Sequence, residues 1–383
     1  MKIVGIICEY NPLHLGHRKQ IRLVKQHFGG DTAVVCLMSG NYVQRGAPAI
    51  FDKSIRAEAA LKCGADLVLE LPVEYCLSSA EGFASGGVSI LSGFCDVLSF
   101  GAETGDAASL MATAKALLSG EFRDYLREKL DLGLSFPAAR QAALEAMGTD
   151  AGLLANPNDI LAVEYCKAIL SQGSTMEIHP VQRGGDYHAE RPDEEDPSAT
   201  AVRRMIALGE EWSAFVPREA ADSFRNAAVH TLEAGERAML AKLRTMTEAE
   251  FETVPFGSEG LWRKLMHAVR QKATLEEILT AVKSKRYTRT RLDRMVMCAF
   301  LGLKEDDLNQ KPPYVRVLAL NDRGRAVLKK AREHGCFLNA GEKPDDPYWE
   351  RERRIGDLYG LSSLDAPEPP DAEGNRRVYY HRG

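Results

Sequence analysis

Short apolar runs alternate with polar, glycine-bearing loops through the first half of the chain. The runs span Ile3 to Ile7, then TAVVCLM (32–38), DLVLEL (66–71), DVLSF (96–100) and TMEIHPV (175–181). Such runs, mostly rich in β-branched residues, predict strands buried on both faces, as in a parallel sheet. Between them the apolar positions fall at helical spacing, with Ile21, Val24 and Phe28 on one face after the first run. Asp52 is placed to cap a helix over DKSIRAEAALKCG, with Gly64 as its stop. A helix rich in small residues follows over 78–93. Residues 106–147 read as three helical segments broken near Gly120, Gly133 and Pro137, and ANPNDILAVEYCKAIL (155–170) as another helix. Strand, loop and helix recurring four times in this order predict a parallel α/β sheet with its binding loops on one edge.

From about residue 210 the spacing is helical almost throughout. The exceptions are YVRVLALND (314–322), which predicts one further strand, and a polar, Pro-containing end from about residue 364 that reads as loose. Helices are expected over 322–333 and 346–361. The expected organisation is therefore an α/β domain over 1–210, a mainly helical domain over 211–363 and a polar tail over 364–383.

Composition excludes two classes. No run of 18 apolar residues is present, and Met1 leads straight into the first strand, so neither a membrane span nor a signal peptide is expected. Eight scattered cysteines include no CxxC pair and read as reduced, buried thiols, which predicts a cytoplasmic protein without zinc or disulfides. Net charge is −5, which alone argues against a general nucleic-acid binder. Its distribution changes that picture: residues 281–330 hold thirteen Lys/Arg against five Asp/Glu, the kind of asymmetry that suits a phosphate backbone.

Candidate chemistry collects at the strands' carboxyl ends. The first strand closes on Gly5, Ile6, Ile7 and Cys8. A loop of Glu9, Tyr10, Asn11, Pro12 and Leu13 follows, and His14, Leu15, Gly16, His17, Arg18, Lys19 and Gln20 open a helix. A helix N-terminus there presents unpaired N–H groups to a phosphate, and two imidazoles three residues apart can stabilise charge developing on it. The second loop offers Asn41, Gln44 and Arg45 to the same edge, and later ones offer Gly101, Glu103, Asn158 and Arg183. Asn158 serves equally well as a simple helix cap. The charged stretch 189–197 would make a lid over SATAVRRMIAL (198–208), where Ser198, Thr200 and Arg203 suit the far phosphates of a triphosphate. In KSKRYTRTRLDR, Arg286, Arg289, Arg291 and Arg294 surround Tyr287, a cluster able to hold phosphates and stack a base.

The HLGH tetrad resembles the HIGH signature of the nucleotidyltransferase superfamily, and SATAVR its SSTxxR signature with Ala199 in the second serine position. EYNPLHLGH, MSGNYVQRGAPAIFDK, GADLVLELP, SFGAE, PNDILAVEY, SATAVR and KRYTRTRLDR, in that order, resemble the bacterial tRNA(Met) cytidine acetate ligases. The resemblance implies a Rossmann-like, HIGH-type nucleotidyltransferase domain followed by a helical, tRNA-binding one. It implies that acetate is activated with ATP, accompanied by Mg²⁺, to acetyl-adenylate, and passed to N4 of the wobble cytidine of elongator tRNA(Met). In that reading His14 and His17 are catalytic and the Gly5–Gln20 stretch cradles ATP. Gly101, Asn158 and Arg183 touch the nucleotide, Ser198, Thr200 and Arg203 hold the leaving phosphates, and Arg286 to Arg294 meet the tRNA. No tightly bound cofactor or dedicated metal cluster is expected. PND stands where the family usually has two asparagines, which puts the role of Asp159 in question. The competing readings are a small-molecule adenylyltransferase with no RNA substrate, and a non-catalytic RNA-binding protein on a degenerate scaffold.

Overall fold

The computed structural model describes residues 1–149, 151–182 and 198–382. The strands of its large sheet are β1 (Lys2–Cys8), β2 (Thr32–Ser39), β3 (Leu67–Leu71), β4 (Val97–Ala102), β5 (Glu177–Gln182), β6 (Val315–Leu320), β7 (Phe337–Asn339) and β8 (Tyr379–Tyr380). They form one sheet in the order β8-β6-β3-β2-β1-β4-β5, with β7 alongside β6. Strands β3, β2, β1, β4 and β5 run parallel, as the apolar runs predict. The helices that position the site and close the fold are α1 (Leu15–Phe28), α2 (Lys53–Lys62), α3 (Ala80–Leu91), α4 (Pro157–Ser171), α5 (Ala199–Ala207), α6 (Arg289–Leu301) and α7 (Pro347–Gly360).

Alternation along β1 explains the two-sided burial. Ile3 and Ile7 enter a core under α3 and α4, while Val4, Ile6 and Cys8 enter another with α1, α2 and α5. Asp52 caps α2 as expected, accepting the Ser54 N–H at 2.8 Å. The run TMEIHPV is a strand but not a buried one: β5 is the sheet's edge and half exposed, a position that tolerates Pro180.

The second half departs from the expected division. Helices between Leu232 and Leu301 do pack round a third core, which takes Ile355 and Tyr359 from α7. The chain then re-enters the sheet. β6 lies antiparallel to β3, and the 364–383 end is no loose tail, because β8 pairs with β6. Buried charge explains the docking. Arg376 donates to both Asp52 oxygens at 2.6 and 2.7 Å, and the Lys53 ammonium sits 2.7 Å from Glu70 and 2.9 Å from Glu373. Burial alone would raise the Asp52 carboxyl, but Arg376 outweighs it and holds Asp52 well below the usual carboxylate range.

The basic count over 281–330 likewise breaks up in space. Arg316 is buried on Glu352 at 2.8 Å, and Arg323 donates to the Thr32 carbonyl at 3.1 Å, away from the 286–294 cluster. Seven cysteines are buried free thiols, and Cys336 is exposed.

Candidate active site

The loop after β1 is held by its own backbone and by α2. His14 caps α1, and its N–H donates to Nδ1 of His17 at 3.3 Å. That bond makes Nδ1 the acceptor, so the neutral ring carries its proton on Nε2. The two imidazoles stack at 3.7 Å, with the Tyr10 ring 4.9 Å from His17. Tyr10 has a φ of +46°, a conformation non-glycine residues rarely adopt, and its burial at 1 % exposure holds it there. Beneath lies Arg56, fully buried, whose guanidinium donates to the carbonyls of Glu9 (2.7 Å), Ser39 (3.0 Å), Phe51 (2.8 Å) and Gly40. Arg56 thus braces the ends of β1 and β2 together. The sequence pattern offered no sign of that role.

Ser198 is the N-cap of α5, and from one turn in, Arg203 reaches across to the first signature. It donates to the Asn11 carbonyl at 2.7 Å and to the Thr200 hydroxyl at 3.0 Å. Burial lowers its pKa from the usual arginine value, while the Glu9 carboxylate opposes that shift. Two signatures separated by almost two hundred residues therefore meet.

They meet on a cavity of about 280 Å³ at the carboxyl edge of β1 and β4. Of the expected residues, Ile6, Ile7, Cys8, Glu9, Tyr10, Asn11, Gly16, His17, Lys19, Gln20, Gly101, Asn158 and Arg203 line it, joined by Gln44 and Arg45. Others do not. Gly5 lies inside β1, between Val35 and Leu98. Pro12, Leu13, His14 and Leu15 pack behind the loop, and Arg18 turns outward to Glu219 at 3.1 Å. Asn41 spends its amide on the Lys53 N–H and on Asp52. Ser198 and Thr200 stand beside Arg203 without lining the cavity. Arg183 and the 189–197 lid lie outside the described residues.

The family model described as HIGH Nucleotidyl Transferase matches residues 1–363. A tRNA(Met) cytidine acetate ligase of Clostridium novyi (strain NT) is 37 % identical over 352 residues, 87 % of this chain and 88 % of the relative. That of Bacillus subtilis (strain 168) is 36 % identical over 355 residues, 87 % of this chain and 85 % of the relative. The chain belongs to the tRNA(Met) cytidine acetate ligase family. Among solved structures, apo TmcAL of Thermotoga maritima superposes with a TM-score of 0.89 at 27 % identity, covering all of both chains. The same protein bound with alpha-thio ATP gives 0.88 at 28 % identity, again with full coverage.

In this ligase Asp159 has a plain structural task. Its carboxylate accepts the Thr104 N–H at 2.9 Å and the Asn156 amide at 3.2 Å. Glu103 answers from the end of β4, taking the Asp159 N–H and the Asn158 side-chain amide, both at 2.7 Å. A carboxylate at the start of α4 suits the free N–H groups and the helix dipole. The pair thereby fixes where Asn158 enters the cavity.

The arginine cluster of the ligase is largely tied up within the chain. Arg286 pairs with Glu259 at 2.7 Å, and Arg289 with Glu276 (2.7 Å) and Asp293 (2.8 Å). Arg291 donates to the Phe256 carbonyl at 2.9 Å with its guanidinium 5.0 Å from the Tyr287 ring, and Arg294 is mostly buried over Phe256. Its position is informative nonetheless. Gly46, at φ +76°, lets the turn after Gln44 and Arg45 sit against the backbone of Asp293 and Arg294, where a Cβ would collide at 2.5 Å. The start of α6 thus abuts the loop that lines the cavity. Among the described residues no helix is long and apolar enough to cross a membrane, and no group of three or more His, Cys, Asp or Glu is placed to hold a metal ion.

Proposed function

We propose that this ligase activates acetate with ATP and transfers the acetyl group to N4 of the wobble cytidine of elongator tRNA(Met). The observation that carries the reading is the 2.7 Å bond from Arg203 to the Asn11 carbonyl, which gathers Lys19, Arg45, Arg203 and His17 round one cavity. An acetate oxygen attacks the α-phosphorus, the bond to the β-phosphate oxygen breaks, and pyrophosphate leaves. The Nε2–H of His17 donates to the charge that gathers on the phosphate, and His14 holds that ring by stacking. Lys19, Arg45 and Arg203 balance the leaving pyrophosphate, with Ser198 and Thr200 beside them. Gly101, Asn158 and Arg183 contact the nucleoside. Mg²⁺ comes with the nucleotide, and Glu9 is the carboxylate on the cavity wall.

The N4 amine then attacks the acyl carbon, AMP leaves, and the amine gives up a proton. The tRNA approaches over the start of α6, along Arg286, Tyr287, Arg289, Arg291 and Arg294, the last of which adjoins the 44–46 turn. This closeness supports an RNA substrate over a small-molecule one. Mass spectrometry of tRNA(Met) after incubation with ATP, acetate and the protein tests the reading. The expected result is one acetyl group on the wobble cytidine, and an unmodified tRNA with active acetate-dependent pyrophosphate exchange would limit the function to activation.

A further inference from the structure

The cavity has two unlike walls. Glu9, His17, Lys19, Arg45 and Arg203 make one, and Ile7, Ala80, Phe83, Phe100, Leu161 and Tyr165 the other. The apolar wall is the exposed top of the core under α3 and α4. In it Tyr165 is 2 % exposed, packed 5.4 Å from the Phe100 ring, and its hydroxyl makes no hydrogen bond to any described residue. Burial, then the Cys8 thiol and the Glu9 carboxylate beside it, pushes this phenol well above its usual range, so it is a donor at neutral pH. A phenol donor that lies on a ligand cavity, with no acceptor among the described residues, points to a bound acceptor.

We propose that the Tyr165 hydroxyl and the apolar side chains round it form the carboxylic-acid subsite, with the hydroxyl on the carboxylate and the methyl group against Ile7, Phe83 and Leu161. The inference rests on the function proposed above. Two features favour the acid over the nucleoside. Tyr165 lies beside Cys8 and Glu9, at the root of the phosphate loop, whereas the residues assigned to the nucleoside, Gly101 and Asn158, sit at the ends of β4 and α4. The wall is also too tightly packed to widen: a Cβ on Gly87 of α3 would come within 2.5 Å of Ile7 Cδ1, so helix and strand are already in contact behind the subsite. A rigid pocket of this kind rejects each added methylene, by about ten- to two-hundredfold.

Pyrophosphate exchange into ATP, driven by acetate, propionate or butyrate, tests the proposal in the full-length protein. Tyr165→Phe is expected to raise the KM for acetate about tenfold or more, to leave the KM for ATP within about twofold, and not to lower the unfolding midpoint, because it removes only a hydroxyl that bonds to none of the described residues. Leu161→Ala, at a partly buried position, is expected to raise the use of propionate relative to acetate about tenfold. An unchanged acetate KM in Tyr165→Phe, or an equal rise in the KM for ATP, overturns the subsite while the functional reading stands. A wild-type protein whose exchange responds to no carboxylate overturns both.

Discussion

The two halves of the sheet use the same residue types to opposite ends. Round β1 and β4, Lys19, Arg45 and Arg203 line a cavity where water or a ligand can reach them. Round β3 and β6, Lys53, Arg316 and Arg376 are withdrawn from solvent and closed on Glu70, Glu373, Glu352 and Asp52. A buried charge is tolerated only with its partner in place, so these three cations serve docking rather than a substrate. The first half lines its cavity with cations that, in the function proposed above, face the triphosphate.

Substitutions should separate the halves. The largest effect is expected at His17: His17→Ala should slow acetate-dependent pyrophosphate exchange about 10³-fold while tRNA binding by gel shift persists, since it removes a donor to the reacting phosphate. Loss of both together would place His17 among the structural residues instead. On the closed side, Arg376→Ala leaves Asp52 and Glu373 buried without their guanidinium. It should cost about 3–5 kcal/mol in urea unfolding, with little change in the KM for ATP of the folded fraction.

His230 extends the contrast to pH. It is buried, stacked on Tyr359 at 3.9 Å, and burial lowers its pKa to about 4. Between that value and the unfolded one of about 6.5, the unfolded chain binds a proton that the folded chain does not. Stability should therefore fall as pH drops from 6.5 towards 4, by roughly 3 kcal/mol, and His230→Phe should remove that part of the slope. The smallest effect is expected at the arginine cluster. Arg289→Ala with Arg291→Ala should weaken tRNA binding and make its salt dependence shallower by about one to two in log–log slope. Glu276→Gln, which releases Arg289 from its carboxylate, should tighten binding, and no change in either variant would remove this surface from the RNA path.

Much of the open half was legible in the chain because its information is local. Each buried strand there is a contiguous apolar run, and each loop carries its chemistry within a few residues of the strand end, as with Asn11, His17 and Gly101. The closed half was not, because its determinants are pairings over long separations. VRVLAL reads as a strand, but nothing in it says that Val317 will face Leu69. Tyr379 and Tyr380 follow a Pro-rich, charged stretch that looks unfolded until Arg376 meets Asp52, more than three hundred residues away. Within the site, Arg56 and Tyr165 escaped notice for a related reason. Each sits in an ordinary helix, and only the tertiary structure shows four carbonyls round one and an open cavity beside the other.

The antiparallel return of β6 has a consequence for how the molecule is made. The sheet's inner strand β3 has no neighbour on one side until residues 315–320 have been synthesised, and Lys53 and Asp52 lack their full complement of partners until residues 373–376 have followed. The amino-terminal part therefore completes its packing only after residues far along the chain have been made. Chains truncated before residue 373 are therefore expected to be more protease-sensitive round α2 and β3 than the whole chain.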